Sequence, residues 1–424
     1  MKTKAVRLYG KKDLRLETVE LPPIEKGEIL AHIISDSICM SSYKASAQGT
    51  DHKRIPNDVA NHPIMIGHEF CGEIVEVGER WKDQFKPGEK FSIQPAMNDP
   101  NGPVGILSAP GYSYPYIGGD AQYIVIPEAV MERKCLLPYA GEAFYLGSLA
   151  EPMSCVIGAF HANYHTTPGS YEHKMGIMEG GATAILAGVG PMGLGAIDYA
   201  IHGDCRPGLL VVTDIDNDRL NRAAAIFTVE DAAKHGVKLM YVNTSEPGKD
   251  ADYLKSLTPD GDGFNDVFVF APVRPLIEQA DLILGHDGCL NFFAGPTDPS
   301  FKAEFNFYNV HYAATHVVGT SGGNTDDMIE SLKLMEEGRV DPSTMVTHIG
   351  GLDAVIETTL NLPQIPGGKK LIYTGIQLPL TPLAELQNQT DPMLQELARI
   401  VEKANGLWSP EAERYLLANA TPME

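Results

Sequence analysis

The stretch Thr183-Ala184-Ile185-Leu186-Ala187-Gly188-Val189-Gly190-Pro191-Met192-Gly193-Leu194 constrains this chain more than any other. A short continuous apolar run of this kind reads as a buried parallel strand. The Gly-x-Gly-x-x-Gly that follows lets the backbone leave the strand, pass close to a pyrophosphate and enter a helix. A helical pattern then continues from Met192 to Ala200, and a second apolar run, Leu209-Leu210-Val211-Val212-Thr213-Asp214, ends in an acid. An acid there can accept a hydrogen bond from the hydroxyls of an adenosine ribose. The glycines alone would fit an ordinary tight turn; strand, turn, helix, strand and terminal acid together point to a dinucleotide site.

A chain of 424 residues is too long for one ordinary core, and a hydrophobic fraction of 43% can support two. Short β-like runs punctuated by Leu21-Pro22-Pro23, Lys26-Gly27 and Phe85-Lys86-Pro87-Gly88-Glu89 fill the first 150 or so residues, predicting an antiparallel sheet. From residue 153 a helix and then alternating strands and helices suit a doubly wound α/β sheet of six parallel strands. The expected division is a β-rich domain of residues 1–157, completed by 322–424, and a Rossmann dinucleotide-binding domain of residues 158–321. The tail after Gly375 predicts one or two amphipathic helices, such as residues 392–404, and carries no chemical motif.

A formal charge of −22 disfavours nucleic acid and anionic membranes as partners, and means that an anionic substrate needs a local basic pocket. No apolar run is long enough to span a bilayer, and the start, Met1-Lys2-Thr3-Lys4-Ala5-Val6-Arg7, lacks an export signal, so a cytoplasmic location is expected. Six scattered cysteines then read as thiols, with metal ligation ahead of disulfides for any that have partners.

Three places outside the Rossmann stretch combine ligand-capable side chains with glycine, proline or serine: Ile38-Cys39-Met40-Ser41-Ser42, Ile66-Gly67-His68-Glu69-Phe70 and Leu149-Ala150-Glu151-Pro152. Singly, each fits a core cysteine or an ordinary turn. Together, a thiolate, an imidazole and a carboxylate make a three-ligand zinc site with an open fourth position. In order and kind these motifs resemble the medium-chain, zinc-dependent alcohol and polyol dehydrogenases, over residues 1 to about 375. The resemblance implies a GroES-like catalytic domain, Cys39 and His68 as zinc ligands, Glu151 or Glu69 as the carboxylate, and Ser41 as the hydroxyl that exchanges a proton with the substrate oxygen. It implies cofactor contacts at Gly188, Gly190, Pro191, Met192, Gly193, Asp214, Ala271, Phe293 and Ala294. The charge of Asp214 would repel a 2′-phosphate, so NAD(H) is expected over NADP(H).

The chain departs from the family pattern twice. The four close-spaced cysteines of a second, structural zinc are missing from residues 94–120, so one catalytic zinc is expected. Met40 and Ser42 stand where a glycine and an acid usually flank the serine.

A closer similarity is to one branch, the bacterial L-sorbose 1-phosphate reductases, carried by Asp36-Ser37-Ile38-Cys39-Met40-Ser41-Ser42-Tyr43-Lys44, Leu290-Asn291-Phe292-Phe293-Ala294-Gly295-Pro296 and, most distinctively, Gly319-Thr320-Ser321-Gly322-Gly323-Asn324-Thr325-Asp326-Asp327-Met328. It implies reversible reduction of the C2 ketone of L-sorbose 1-phosphate to D-glucitol 6-phosphate in a homo-oligomer, a dimer or tetramer. Lys44 is the first candidate to anchor the phosphate, and His52-Lys53-Arg54 the second. Dehydrogenation of another polyol or sugar phosphate, such as galactitol 1-phosphate or free sorbitol, and nucleotide binding without catalysis are the alternatives. His161, His165 and His173, spaced by four and eight, read as a solvated loop ahead of a second metal site, and His348 is given no role.

Overall fold

The computed structural model describes all 424 residues, which form two compact units. The first comprises residues 1–151, 324–336 and 346–424, and the second residues 152–323 and 337–345.

In the first unit an eight-stranded sheet carries the site. Its central strand, Ile29–Ile38, pairs antiparallel with Phe70–Val77 on one side and with Lys369–Tyr373 on the other. Side chains alternate across a strand, and Ile29, Ala31 and Ile33 join Phe70, Ile74, Phe91 and Ile124 in one buried cluster. The expected antiparallel sheet is therefore present, with Val346–Gly351 and Lys369–Tyr373 as its one parallel pair.

The tail belongs to this unit. Its helices Pro392–Lys403 and Pro410–Asn419 bury Leu397, Ile400 and Leu416, and the segment between them buries Trp408, in a cluster with Tyr145, Leu149 and Leu371. Buried Glu413 accepts from the backbone N–H groups of Phe144 at 2.6 Å and Tyr145 at 2.8 Å. Those are the unpaired first amides of the helix Phe144–Ala162. A carboxylate from the far end of the sequence thus starts this helix nine residues ahead of its expected first residue at 153, where no local cap is visible.

The second unit contains a six-stranded parallel sheet in the spatial order 238–243, 209–214, 182–186, 264–269, 284–292, 316–318. This is the doubly wound order in which the strand that leads into the glycine turn, 182–186, lies in the middle. Residues 337–345 join this unit, not the first as the sequence suggests. Arg339 donates to the carbonyl of His202 at 2.6 Å and to Asp204 at 2.7 Å, and the Asp341 amide donates to Asp198 at 2.8 Å.

His165 is a second correction. It is buried, with Nε2 3.1 Å from Asp266 Oδ1 and Nδ1 3.1 Å from the Asp287 carbonyl, so it is a hydrogen-bonded core histidine and not part of a solvated loop. No helix is long and apolar enough to cross a membrane, and all six cysteines are free thiols.

Candidate active site

Three neighbouring strand ends of the first unit converge. The strand Ile29–Ile38 runs into the helix Met40–Gln48, with Cys39 as its N-cap residue and Ser41 and Ser42 in its first turn. His68 and Glu69 immediately precede the strand Phe70–Val77, and the Ser37 amide donates to the Glu69 carbonyl at 3.1 Å. Gly67 must be glycine: its φ is +91°, and a Cβ would meet the Asp120 amide at 2.6 Å. Lys369 opens the third strand.

Donor atoms of Cys39, His68 and Glu69 lie within 4.8 Å of one another. Ser41 Oγ is 3.0 Å from Cys39 Sγ and 3.2 Å from His68 Nε2, while Ser42 Oγ is 3.3 Å from His68 Nδ1. Ser42, which stands in place of the usual acid, thus bonds the second ring nitrogen. That is how metal-binding histidines are commonly oriented.

Glu69 is already engaged. Lys369 Nζ donates to its two carboxylate oxygens at 2.5 and 2.7 Å, and Ser37 Oγ donates to it as well. Burial alone would push the Glu69 carboxyl up, but Lys369, His68 and Ser37 hold it below the usual range. Burial likewise works against the Lys369 charge, and Glu69, Cys39 and Glu151 outweigh it, so the ammonium stays protonated. Glu151, in the helix Phe144–Ala162, lies outside the group of three donors, yet its charge is felt by both Cys39 and Lys369.

Burial, helped by Glu69 and Glu151, pushes the Cys39 thiol up to about 11, and burial, with Lys369 and Arg54, brings His68 down to about 4. A neutral imidazole beside a buried thiol and carboxylates is a donor set suited to zinc. When bound there, the ion supplies Lewis-acid polarisation of a substrate oxygen.

The sequence did not single out Tyr112. Its hydroxyl donates to Ser41 Oγ at 2.8 Å and lies 3.2 Å from His68 Nε2. It comes from the cysteine-free lobe of residues 94–120, which is held by hydrogen bonds: Arg133 to Asp99 at 2.8 Å, Val104 N to Ser108 Oγ at 2.9 Å and Ala109 N to Ser113 Oγ at 3.1 Å. Gly111, with φ +73°, packs its Cα against the Gly67 carbonyl and so seats the lobe on the Gly-His-Glu turn. A glycine directly before a tyrosine was the sequence signal available.

Next to Tyr112 is a group of cations. The Arg54 guanidinium carbon lies 5.3 Å from the Tyr112 ring centroid, and His52 stacks on the same ring at 6.1 Å. Burial first, then Arg54, Lys53 and Lys44, bring His52 down to about 4, so both cationic segments expected from the sequence converge on one imidazole.

In the second unit the glycine turn joins the strand Ala182–Leu186 to the helix Pro191–His202, with Gly190 as N-cap and Pro191 and Met192 as the first helical residues. No side chain caps this helix, so its first amides are open to an anion. A Cβ on Gly193 would overlap the Gly188 carbonyl, and Ala187 is held at φ +53°, a strained value of the kind found at ligand turns. Asp214 ends the neighbouring strand, and the Gly188 amide donates to the Thr213 carbonyl at 2.9 Å. The Asp214 Oδ1 accepts from the amides of Ile215 at 2.9 Å and Asp216 at 3.2 Å. Arg219 approaches Asp214 to 4.0 Å. Ala271 follows the strand Phe264–Val269, the Ala294 amide donates to the Val269 carbonyl at 3.0 Å, and the Phe293 ring packs on Phe270. All of these lie at carboxyl ends of parallel strands, where dinucleotides bind in such sheets.

This donor cluster and this sheet define a zinc-type oxidoreductase of the medium-chain dehydrogenase fold. The chain belongs to the medium-chain, zinc-dependent alcohol and polyol dehydrogenases. Residues 25–135 match the alcohol dehydrogenase GroES-like domain. The chain is 54% identical over 418 residues to mannitol-1-phosphate 5-dehydrogenase of Aliivibrio fischeri, covering 98% of this chain and 97% of that one. It is 53% identical over 418 residues to L-sorbose 1-phosphate reductase of Klebsiella pneumoniae, covering 99% and 98%. The crystal structure of 2R,3R-butanediol dehydrogenase from Bacillus subtilis superposes with a TM-score of 0.68 at 23% identity, over 88% of this chain and 99% of that one, a likeness of fold.

Proposed function

We propose that the protein reversibly reduces the C2 ketone of a ketose phosphate to a hexitol phosphate in the cytoplasm, with L-sorbose 1-phosphate to D-glucitol 6-phosphate as the reaction. The observation that carries the phosphate is the placing of Arg54 over the Tyr112 ring beside His52, which feels the charges of Arg54, Lys53 and Lys44, in a chain of net charge −22. The relative named for mannitol 1-phosphate makes D-fructose 6-phosphate the second reading.

Cys39, His68 and Glu151 are proposed to hold one zinc ion. Glu69 is the nearer carboxylate to His68, at 4.0 Å, but both its oxygens already serve Lys369, and drawing it away would leave a buried ammonium unpaired. Ser41 is proposed to exchange the proton with the substrate oxygen, and Tyr112 to orient the Ser41 hydroxyl through their 2.8 Å hydrogen bond. The nicotinamide supplies the hydride when bound, and its pyrophosphate is assigned to Gly188, Gly190 and Gly193. NAD(H) is favoured by the carboxylate of Asp214. Arg219 beside it is the group through which NADP(H) would gain a foothold, so equal use of NADPH and NADH would overturn the preference. A homo-oligomer is proposed, and sedimentation as a monomer would refute it.

The reaction is tested by NADH oxidation with L-sorbose 1-phosphate, L-sorbose, D-fructose 6-phosphate and a galactitol-derived ketose phosphate, with and without a chelator. Arg54→Ala is expected to raise KM for the phosphorylated ketose about 10- to 100-fold, the loss of one charge-assisted contact, and to leave KM for free L-sorbose unchanged. Equal kcat/KM for phosphorylated and free sugars would defeat the phosphate reading.

A further inference from the structure

His202 closes the helix Pro191–His202, Asp231 lies in the helix Val229–Lys234, and His235 follows as that helix's C-cap. One donor atom from each lies within 4.8 Å of the other two. His202 Nε2 is 3.4 Å from Asp231 Oδ2, and the His202 and His235 rings meet edge to face at 4.7 Å.

The other face of His202 is already built. Its Nδ1 is 2.7 Å from Oδ1 of buried Asp198, whose Oδ2 accepts the Asp341 amide at 2.8 Å. A carboxylate on the far nitrogen fixes the ring's tautomer and raises the basicity of the free one, an arrangement characteristic of metal-binding histidines. Burial pushes the Asp198 carboxyl up to about 6, and the Asp198 hydrogen bond is the main cause raising His202. Lys234, largely exposed, lies 3.4 Å from Asp231 Oδ1 and is the one cation bonded to the group; its flexible stem lets it swing into solvent.

We propose that His202 Nε2, Asp231 and His235 form a second metal site, for a divalent first-row transition ion of the zinc class, in addition to the ion proposed at Cys39 and His68. Two imidazoles and one carboxylate suit zinc, nickel or copper and are poor ligands for magnesium or calcium, which take oxygen donors. The ion clamps the end of the helix that the glycine turn begins to the helix Val229–Lys234. Its expected effect is therefore on the stability of the parallel-sheet unit, without touching a reacting atom.

The test is zinc counted per chain by mass spectrometry after equilibration of the purified enzyme with about 10 μM free Zn²⁺, a concentration at which a three-ligand protein site is expected to fill. Wild type should hold one equivalent more than His235→Ala, whose exposed side chain can be removed without disturbing the core, and the variant should keep wild-type activity. Cys39→Ser should lose a different equivalent, so failure here and failure at the proposed catalytic site are separable. Asp231→Asn should weaken uptake at least 10-fold. Equal zinc content in wild type and His235→Ala would overturn the proposal.

Discussion

At the scale of the residue, Ser41 and Tyr112 share one hydrogen bond and do not have equal roles. Removing the hydroxyl that meets the substrate is expected to lower kcat by about 10²- to 10⁴-fold in Ser41→Ala. Tyr112→Phe removes only the supporting bond and should cost about 3- to 10-fold. Steady-state kinetics on both variants decides the order, and a larger loss in Tyr112→Phe would make the tyrosine the proton donor. The two glutamates separate by a different measurement. Glu69→Gln leaves Lys369 charged and buried, and should destabilise the folded chain by about 3–5 kcal/mol. Glu151→Gln leaves the Glu69–Lys369 pair in place and should lose zinc. Zinc retained by Glu151→Gln and lost by a stably folded Glu69→Gln would reverse the assignment. The candidate ligands themselves were legible because Cys39, His68, Glu69 and Glu151 each sit in a short motif. Lys369 and Tyr112 were not, because what commits them is a contact with residues far away in sequence.

At the scale of the element, the parallel sheet was legible almost strand by strand, since its buried strands are uninterrupted apolar runs. The helix Phe144–Ala162 was misjudged because its start is specified by Glu413, and no local pattern can carry such a signal. Glu413→Ala should lower stability by about 1–2 kcal/mol, the usual worth of a lost N-cap, which thermal denaturation can read. His165 was misread for the opposite reason: its sequence neighbourhood is polar, while its three-dimensional one is the core around Asp266. Burial works against the His165 charge, but the bond to Asp266 and the Asp287 carbonyl raise its pKa above the ordinary value. The folded state therefore binds the proton more tightly than the unfolded one. This stabilisation is complete below about pH 6.5, the ordinary histidine value, and is lost as pH rises through the folded value. Calorimetry should find a melting temperature that falls as pH rises above about 6.5 in wild type and falls less in His165→Gln. Parallel slopes would remove His165 from the account.

At the scale of the whole molecule, the order of domains along the chain followed from composition and pattern, but the excursion of residues 337–345 into the second unit did not. It rests on Arg339 and Asp341 meeting His202, Asp204 and Asp198, all polar side-chain contacts invisible to hydrophobic periodicity. The tail is equally integral. A chain ending at Gly375 would expose Tyr145, Leu149 and Leu371, which pack on Leu397, Ile400 and Trp408, and should not fold its first unit. Limited proteolysis would show this, and wild-type resistance in the truncated chain would contradict it.

The ion pair between Glu69 and Lys369 spans 300 residues. During synthesis at about 5–20 residues per second, Glu69 therefore waits roughly 15–60 s for its counter-charge. Throughout that interval the Gly-His-Glu turn belongs to a sheet that lacks the strand Lys369–Tyr373 beside its centre. Zinc capture is accordingly expected to be a late event, following release of nearly the whole chain, and nascent chains stalled before Lys369 should bind no zinc at this site.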